Sequence, residues 1–242
     1  AALRSGAGLV FLGVPEKIYP IVAAGLEEPV VFPLPCDEAG RLTPEALDAA
    51  SPRLGQADAV LFGPGLGQSD GVRELLRRLL GAARCPVLLD ADGINAAAAH
   101  IHVLRNRRRP TVVTPHEGEF LRLGGDLSLG REQAALAAAR ALGCVMVLKG
   151  PGTVIAAPDG RIRLNTTGNC GMAKGGSGDI LAGMIASLVG QGAEPFDAAA
   201  CAVWLHGRAG DLCSRELTEY AMTPPDMIGR LPAVFRELRE SE

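Results

Sequence analysis

Short, uninterrupted apolar runs recur along this chain, and they limit its fold more than any other feature. They are "LVFLG" 9–13, "PVVF" 29–32, "AVLFG" 59–63, "PVLLD" 86–90, "TVVTP" 111–115 and "VMVLKG" 145–150. None shows the apolar–polar alternation of a half-buried strand, so they suit strands covered on both faces, as in a parallel sheet. Helical periodicity fills the gaps between them. Val72, Leu75, Leu76, Leu79 and Leu80 form one stripe stopped by Gly81, and an Ala/Leu pattern over 130–142 ends at Gly143. Such alternation implies right-handed crossovers and a layered α/β fold.

Thr43-Pro44 and Thr223-Pro224 each offer a cap followed by proline at the first helical position. "TVIAAPDGRIRLN" 153–165 reads as a hairpin about Pro158-Asp159-Gly160, and helices dominate from 177 to 238. No repeat, low-complexity stretch or linker interrupts the 242 residues, so 1–242 reads as one domain ending in a solvated "RELRESE". Hydrophobic residues make up 48% of the chain and aromatics only 4%, so the core must be built from Ala, Leu and Val.

A net charge of −3 supplies no attraction for nucleic acid or an anionic membrane, and neither is expected as a partner. The one basic cluster, "RNRRRP" 105–110, reads as a solvated connection. The six cysteines lack CxxC pairing, which points to reduced thiols, a cytoplasmic location and no metal ligation by them. No apolar run reaches the ~20 residues that a membrane helix needs. The opening "AALRSGAGLV" has neither a signal-peptide pattern nor an initiating Met, and it reads as a helix end running into a strand. A fragment or processed product is the expectation.

The chemistry gathers in "NTTGNCGMAKGGSGDIL" 165–181. Ile180, Leu181, Met184, Ile185 and Leu188 share one helical face, so a helix starts near Ser177 with Gly175, Gly176 and Gly178 at its entrance. Bare backbone at a helix start presents free N–H groups and the positive end of the dipole, which suits a phosphate. Asp179, in the first turn beside that anion, fits a general base that deprotonates an acceptor hydroxyl during phosphoryl transfer. A cap alone does not need so many glycines, since glycine is costly to order.

This segment, extended to "NTTGNCGMAKGGSGDILAGMIASL", resembles the signature of the ADP/ATP-dependent NAD(P)H-hydrate dehydratases of the ribokinase-like superfamily. "VLFGPGLG" 60–67, "LLDADGIN" 88–95, "TVVTPHEGEF" 111–120 and "VLKGPGTVIAAPDG" 147–160 resemble that family's other motifs in the same order, covering Gly6 to about residue 235. The resemblance implies a ribokinase-like three-layer α/β/α fold with a central, mostly parallel sheet. It also implies repair of NADH or NADPH that has taken up water, with ADP or ATP as co-substrate and Mg²⁺ accompanying it. It implies Asp179 as base and substrate contact, and Gly176, Ser177 and Gly178 as the anion hole. Lys149, Gly150, Pro151, Gly152, Thr153 and Gly178 are implied to bind nucleotide, and Gly65 and His116 the hydrated coenzyme. Asp90, Asp92 and Asn95, after another strand, would orient substrate or a hydrated ion. Asn169 would shape the turn, and Lys174 would help neutralise phosphate. The metal ligands stay open.

Read without the family, His116 caps the helix that follows, Glu117 and Glu119 favour that helix's first turn, and His206 is a satisfied core histidine. The family's earlier strand and glycine-rich turn are missing ahead of "RSGAG". That implies a segment cleaved away, disordered or supplied by a separate chain. An NAD(P)H-hydrate epimerase, fused or separate, and homo-oligomerisation are further implications. Two rivals stand beside this reading: a kinase of the same superfamily acting on a thiazole or pyrimidine alcohol, and a nucleotide-binding module without catalysis. A hydride-transfer dehydrogenase would need a GxGxxG turn, which "GPGLG" does not supply.

Overall fold

The computed structural model describes residues 1–240, so the last two residues of "RELRESE" lie outside the described residues. Six strands form the main sheet, in sequential spatial order: β3 (Val60–Phe62), β4 (Val87–Leu89), β5 (Thr111–Val113), β6 (Val145–Leu148), β7 (Val154–Ala156) and β8 (Ile162–Leu164). The first four are parallel, and β7 and β8 return antiparallel as the expected hairpin. Val87, Leu88, Leu89, Val112, Val113 and Met146–Leu148 are all essentially inaccessible, as strands covered on both faces require.

The two faces bury against different helices. Leu89, Val113, Met146 and Leu148 point to one side, where they pack with α3 (Asp70–Ala82) and α7 (Arg131–Leu142). Leu88, Val112, Val147 and Ile155 point to the other, against α8 (Ser177–Gly190), α9 (Pro195–Ala221) and α10 (Pro224–Glu240). Short helices α4 (Asp92–Ala98), α5 (Ile101–Arg105) and α6 (Glu117–Arg122) follow β4 and β5.

Three expectations need correction. β1 (Phe11–Pro15) and β2 (Val30–Leu34) are parallel to each other but form a separate two-stranded sheet. Pro15 and Pro33 have no N–H to donate, which makes both strands poor members of a central ladder. Arg107 of the basic cluster is not a free solvated charge. It is half-buried and donates to the carbonyls of Leu80 at 3.1 Å and Cys85 at 2.6 Å, closing the end of α3. Thr223-Pro224 opens α10 as read, whereas α2 (Ala46–Leu54) begins two residues beyond Pro44.

Candidate active site

Parallel strands deliver their carboxyl ends to one edge of the sheet, and the predicted residues gather there. Asp90 follows β4, Thr114 and His116 follow β5, Lys149 follows β6, and the "GPGLG" turn follows β3. Gly63 and Gly93 make this edge possible by letting two turns touch. A Cβ on Gly63 would lie 1.7 Å from the Asp90 carbonyl oxygen, and one on Gly93 would lie 2.3 Å from that of Phe62. Ala91, between Asp90 and Asp92, has φ +49, a left-handed conformation that side-chain-bearing residues rarely adopt.

Asp90 is buried, with 2% of its side chain exposed. Its Oδ1 accepts from Lys149 Nζ at 2.6 Å and from the Thr114 hydroxyl at 2.7 Å. The Lys149 ammonium also lies 3.9 Å from Glu119 Oε2. The glycine-rich turn meets this cluster from the other side of the sheet's edge. A Cβ on Gly178 would stand 3.4 Å from Lys149 Nζ and 3.8 Å from Asp90 Oδ2. Remote segments of the sequence therefore place a bare backbone, an ammonium and a carboxylate around one spot.

Gly176 has φ +92 and Ser177 is the first residue of α8, as its sequence predicts. The Ser177 hydroxyl is buried, 3.4 Å from His206 Nε2. Burial, helped by the nearby Lys149 charge, pushes the His206 imidazole down to about 4, so it is a neutral core histidine at physiological pH. Asp179, in the first turn of α8, is exposed, with no hydrogen bond or ion pair among the described residues. That leaves its carboxylate open to solvent in the first turn of α8.

The "KGPGT" turn is built for shape. Gly150 has φ +151 and Gly152 φ +62. Thr153 is buried and its hydroxyl donates to the Gly150 carbonyl at 3.0 Å, so this side chain fixes the turn while Pro151 and Gly152 stay exposed. Arg131 straps the turn from α7, donating to the carbonyls of Leu148 at 3.0 Å and Lys149 at 3.1 Å.

His116 caps α6. Its Nδ1 accepts from the amides of Gly118 at 3.0 Å and Glu119 at 3.3 Å, and Glu119 Oε2 accepts from the His116 amide at 2.9 Å. This reciprocal box leaves the ring about half exposed. Gly65 has φ +71 and a Cβ there would meet no protein atom, so the space above it is clear.

Three predicted supports have partners of their own. Asn169 accepts from the Gly171 amide at 3.1 Å and so does shape the turn. Asn95 is held by Arg122. Lys174, expected to help neutralise phosphate, is engaged elsewhere: its ammonium donates to the carbonyls of Glu219 at 3.1 Å, Tyr220 at 2.9 Å and, more closely, Met222. The reason is electrostatic, because the end of α9 offers unpaired carbonyls and a negative dipole end. Sequence reasoning missed Thr114 and Arg131, and it gave Glu119 only a helix-starting role. The spacing His116-x-x-Glu119 carried a capping-box signal that could have shown its importance.

Among the described residues no group of three or more His, Cys, Asp or Glu side chains gathers to hold a metal ion. No helix among them is long and apolar enough to cross a membrane.

A family model described as NAD(P)H-hydrate dehydratase matches residues 1–233. The bifunctional NAD(P)H-hydrate repair enzyme Nnr of Moorella thermoacetica is 43% identical over 99% of this chain and 46% of its own length. The chain thus spans about half the length of such curated relatives. The ADP-dependent (S)-NAD(P)H-hydrate dehydratase of Bacillus subtilis is 35% identical over 97% of this chain and 81% of its own. Among solved structures, the ADP/ATP-dependent NAD(P)H-hydrate dehydratase from Bacillus subtilis co-crystallised with ATP/Mg²⁺ matches with a TM-score of 0.79. It is 32% identical, and the match covers 98% of this chain and 81% of that one. A ribokinase-like superfamily protein from Enterococcus faecalis matches with a TM-score of 0.82 at 28% identity, over 98% of this chain and 79% of that one. The fold is therefore ribokinase-like.

Proposed function

Because this chain belongs to the NAD(P)H-hydrate dehydratase family, we propose that it restores NADH or NADPH from their hydrates at the expense of ADP or ATP, residues 1–242 acting as one domain. The observation that carries this reading is the convergence of Gly178, Lys149 and Asp90 beside Asp179, which is exposed and without a partner among the described residues.

The chemistry follows from leaving groups. Hydroxide leaves the hydrated nicotinamide ring poorly, whereas phosphate leaves well. Asp179 takes the proton of the ring hydroxyl as that oxygen attacks the terminal phosphoryl group of the nucleotide, whose bridging P–O bond breaks so that the shortened nucleotide leaves. The amides of Gly176, Ser177 and Gly178, with Lys149, bear the charge that develops on the transferred group. The ring nitrogen then pushes out the phosphate, which carries the hydroxyl oxygen with it, and the adjacent ring carbon gives up a proton to water as the conjugated ring returns. Gly150, Pro151, Gly152 and Thr153 form the turn beneath the nucleotide, while Gly65 and His116 flank the hydrated coenzyme.

Mg²⁺ fits this site as an ion carried in by the nucleotide. It keeps most of its waters and needs only one or two carboxylates, and Asp90 Oδ2 is the carboxylate oxygen that faces the Gly178 backbone. When bound it neutralises phosphate charge. The same reading includes a cytoplasmic homo-oligomer working with an NAD(P)H-hydrate epimerase, fused or separate. The bifunctional relatives, about twice this chain's length, support the epimerase.

The test is direct. Incubation with hydrated NADH, Mg²⁺ and ADP or ATP should restore NADH absorbance with one free phosphate per turnover. A stable phosphorylated alcohol as the only product would favour a kinase instead.

A further inference from the structure

Asp211 lies on α9 opposite the segment that leads into the glycine-rich turn. Its Oδ2 accepts from the Gly168 amide at 3.0 Å and its Oδ1 from Asn169 Nδ2 at 3.1 Å. Asn169 Oδ1 accepts in turn from the Gly171 amide at 3.1 Å. One acid of α9 therefore fixes, directly or through Asn169, three points of a loop with few side chains of its own.

Further ties lie along the same helix. The Thr167 hydroxyl donates to the Trp204 carbonyl at 2.9 Å, and Lys174 reaches the carbonyls at the helix end. Gly207 and Gly210 provide the seat: a Cβ on Gly207 would lie 2.2 Å from Thr167 Oγ1, and one on Gly210 2.4 Å from Met172 Sδ. Thr218, with φ +62, breaks the helical geometry of α9 just before the carbonyls that Lys174 meets. A β-branched residue tolerates that conformation only where its surroundings impose it.

Glycine-rich backbone has much freedom to lose, and anion-binding amides stabilise a transition state only if they are already aimed. We propose that Asp211 is a positioning residue that holds 165–172 along α9 through Gly168 and Asn169, and so sets where Gly175–Asp179 stands against Lys149. What the turn then does rests on the function proposed above; the clasp itself does not.

The test exploits the direction of the hydrogen bonds. Asp211→Asn keeps an acceptor for Gly168 but turns an amide NH₂ towards the NH₂ of Asn169. Asn169→Asp sets two carboxylates face to face. Combining the two substitutions restores every bond, because the new amide at position 211 donates to the new carboxylate at position 169. That carboxylate still accepts from Gly171. Each single variant should lose at least tenfold in kcat, with KM for the nucleotide changed less than about threefold, and the double variant should recover to within about threefold. Hydrogen exchange of the amides in 165–176 should quicken at least tenfold in the single variants and return to the wild-type rate in the swap. Unchanged exchange in the single variants, or a swap as impaired as either, overturns the proposal. If the wild-type protein restores no NADH, the function reading falls while the exchange measurement still decides the clasp. Should a single variant not fold, a folded swap variant upholds the pairing and an unfolded one overturns it.

Discussion

The Nζ of Lys149 stands 2.6 Å from Oδ1 of Asp90, a carboxylate with 2% of its side chain exposed, while Lys149 keeps 20%. The pair joins the ends of β6 and β4 across β5, and the hydroxyl of Thr114, the residue after β5, donates to the same oxygen at 2.7 Å. A buried ion pair contributes little net stability over an apolar substitute, but breaking it leaves a charge without compensation. Lys149 is thus held by Asp90 and still presents its ammonium to the space beside Gly178.

Removing the ammonium alone should therefore be costly. Lys149→Met is expected to lower stability by about 3 kcal/mol, the low end for a broken buried pair because Lys149 is partly exposed. For a domain of this size that is a drop of roughly 6–12 °C in Tm. Adding Asp90→Asn, which removes the stranded charge, should recover most of the Tm while nucleotide affinity stays low. Calorimetric unfolding with nucleotide titration separates the two. A double variant no more stable than Lys149→Met would show that the pair does not matter to the fold.

Asp179 should behave in the opposite way. It is exposed and has no partner among the described residues, so Asp179→Asn loses at most the helix-end contribution of about 0.3–1 kcal/mol. Turnover should fall by at least ~10²-fold, the range of a lost general base. Nucleotide Kd should stay within about threefold. Steady-state kinetics beside a binding titration checks this, and unchanged turnover removes Asp179 from the mechanism.

The strand runs and the GGSGD turn were legible because both are local. A run such as "PVLLD" reveals its burial by composition, and a helix start shows itself in the glycines and the apolar face that follow. What stayed hidden depends on partners remote in sequence. Lys174 looks like a phosphate ligand until α9, some 45 residues on, brings its end carbonyls to it. Arg107 reads as solvated until the end of α3 is placed over it. Asp211 carries no local pattern at all, since its meaning lies in Gly168 and Asn169. The glycines themselves divide by role: Gly171 yields to α9, where a Cβ would lie 2.7 Å from the Glu219 Cα, whereas a Cβ on Gly175 would meet nothing.

Two alanine substitutions should separate fold from ligand contact. A Cβ on Gly63 would sit 1.7 Å from the Asp90 carbonyl oxygen, at a φ of +140 that disfavours any side chain. Gly63→Ala is expected to yield no stable folded protein. On Gly178 the nearest atom would be Lys149 Nζ at 3.4 Å, a flexible end that can shift. Alanine also suits a helix better than glycine by up to ~1 kcal/mol. Gly178→Ala should match or exceed wild-type Tm yet raise KM for the nucleotide at least tenfold. Wild-type KM in that variant would exclude Gly178 from the anion hole.

His206 gives the protein a specific acid sensitivity. Burial lowers its pKa from the ordinary 6.5 to about 4, so the folded chain stays unprotonated there while the unfolded chain takes up a proton below about 6.5. Above that pH both states leave the ring neutral and His206 adds no pH dependence. Between 6.5 and 4 the unfolded state binds the extra proton, and stability falls as pH falls, by about 3 kcal/mol in total. Carboxylates contribute at the lower end of this window, so the informative quantity is a difference between proteins. In urea unfolding from about pH 7.5 to about 4.5, wild type should lose stability more steeply than His206→Gln, by up to about 1.4 kcal/mol per pH unit. The glutamine amide at that position can still hydrogen-bond Ser177, which keeps the buried hydroxyl partnered. Parallel pH curves for the two proteins would mean that His206 is not held neutral by its burial.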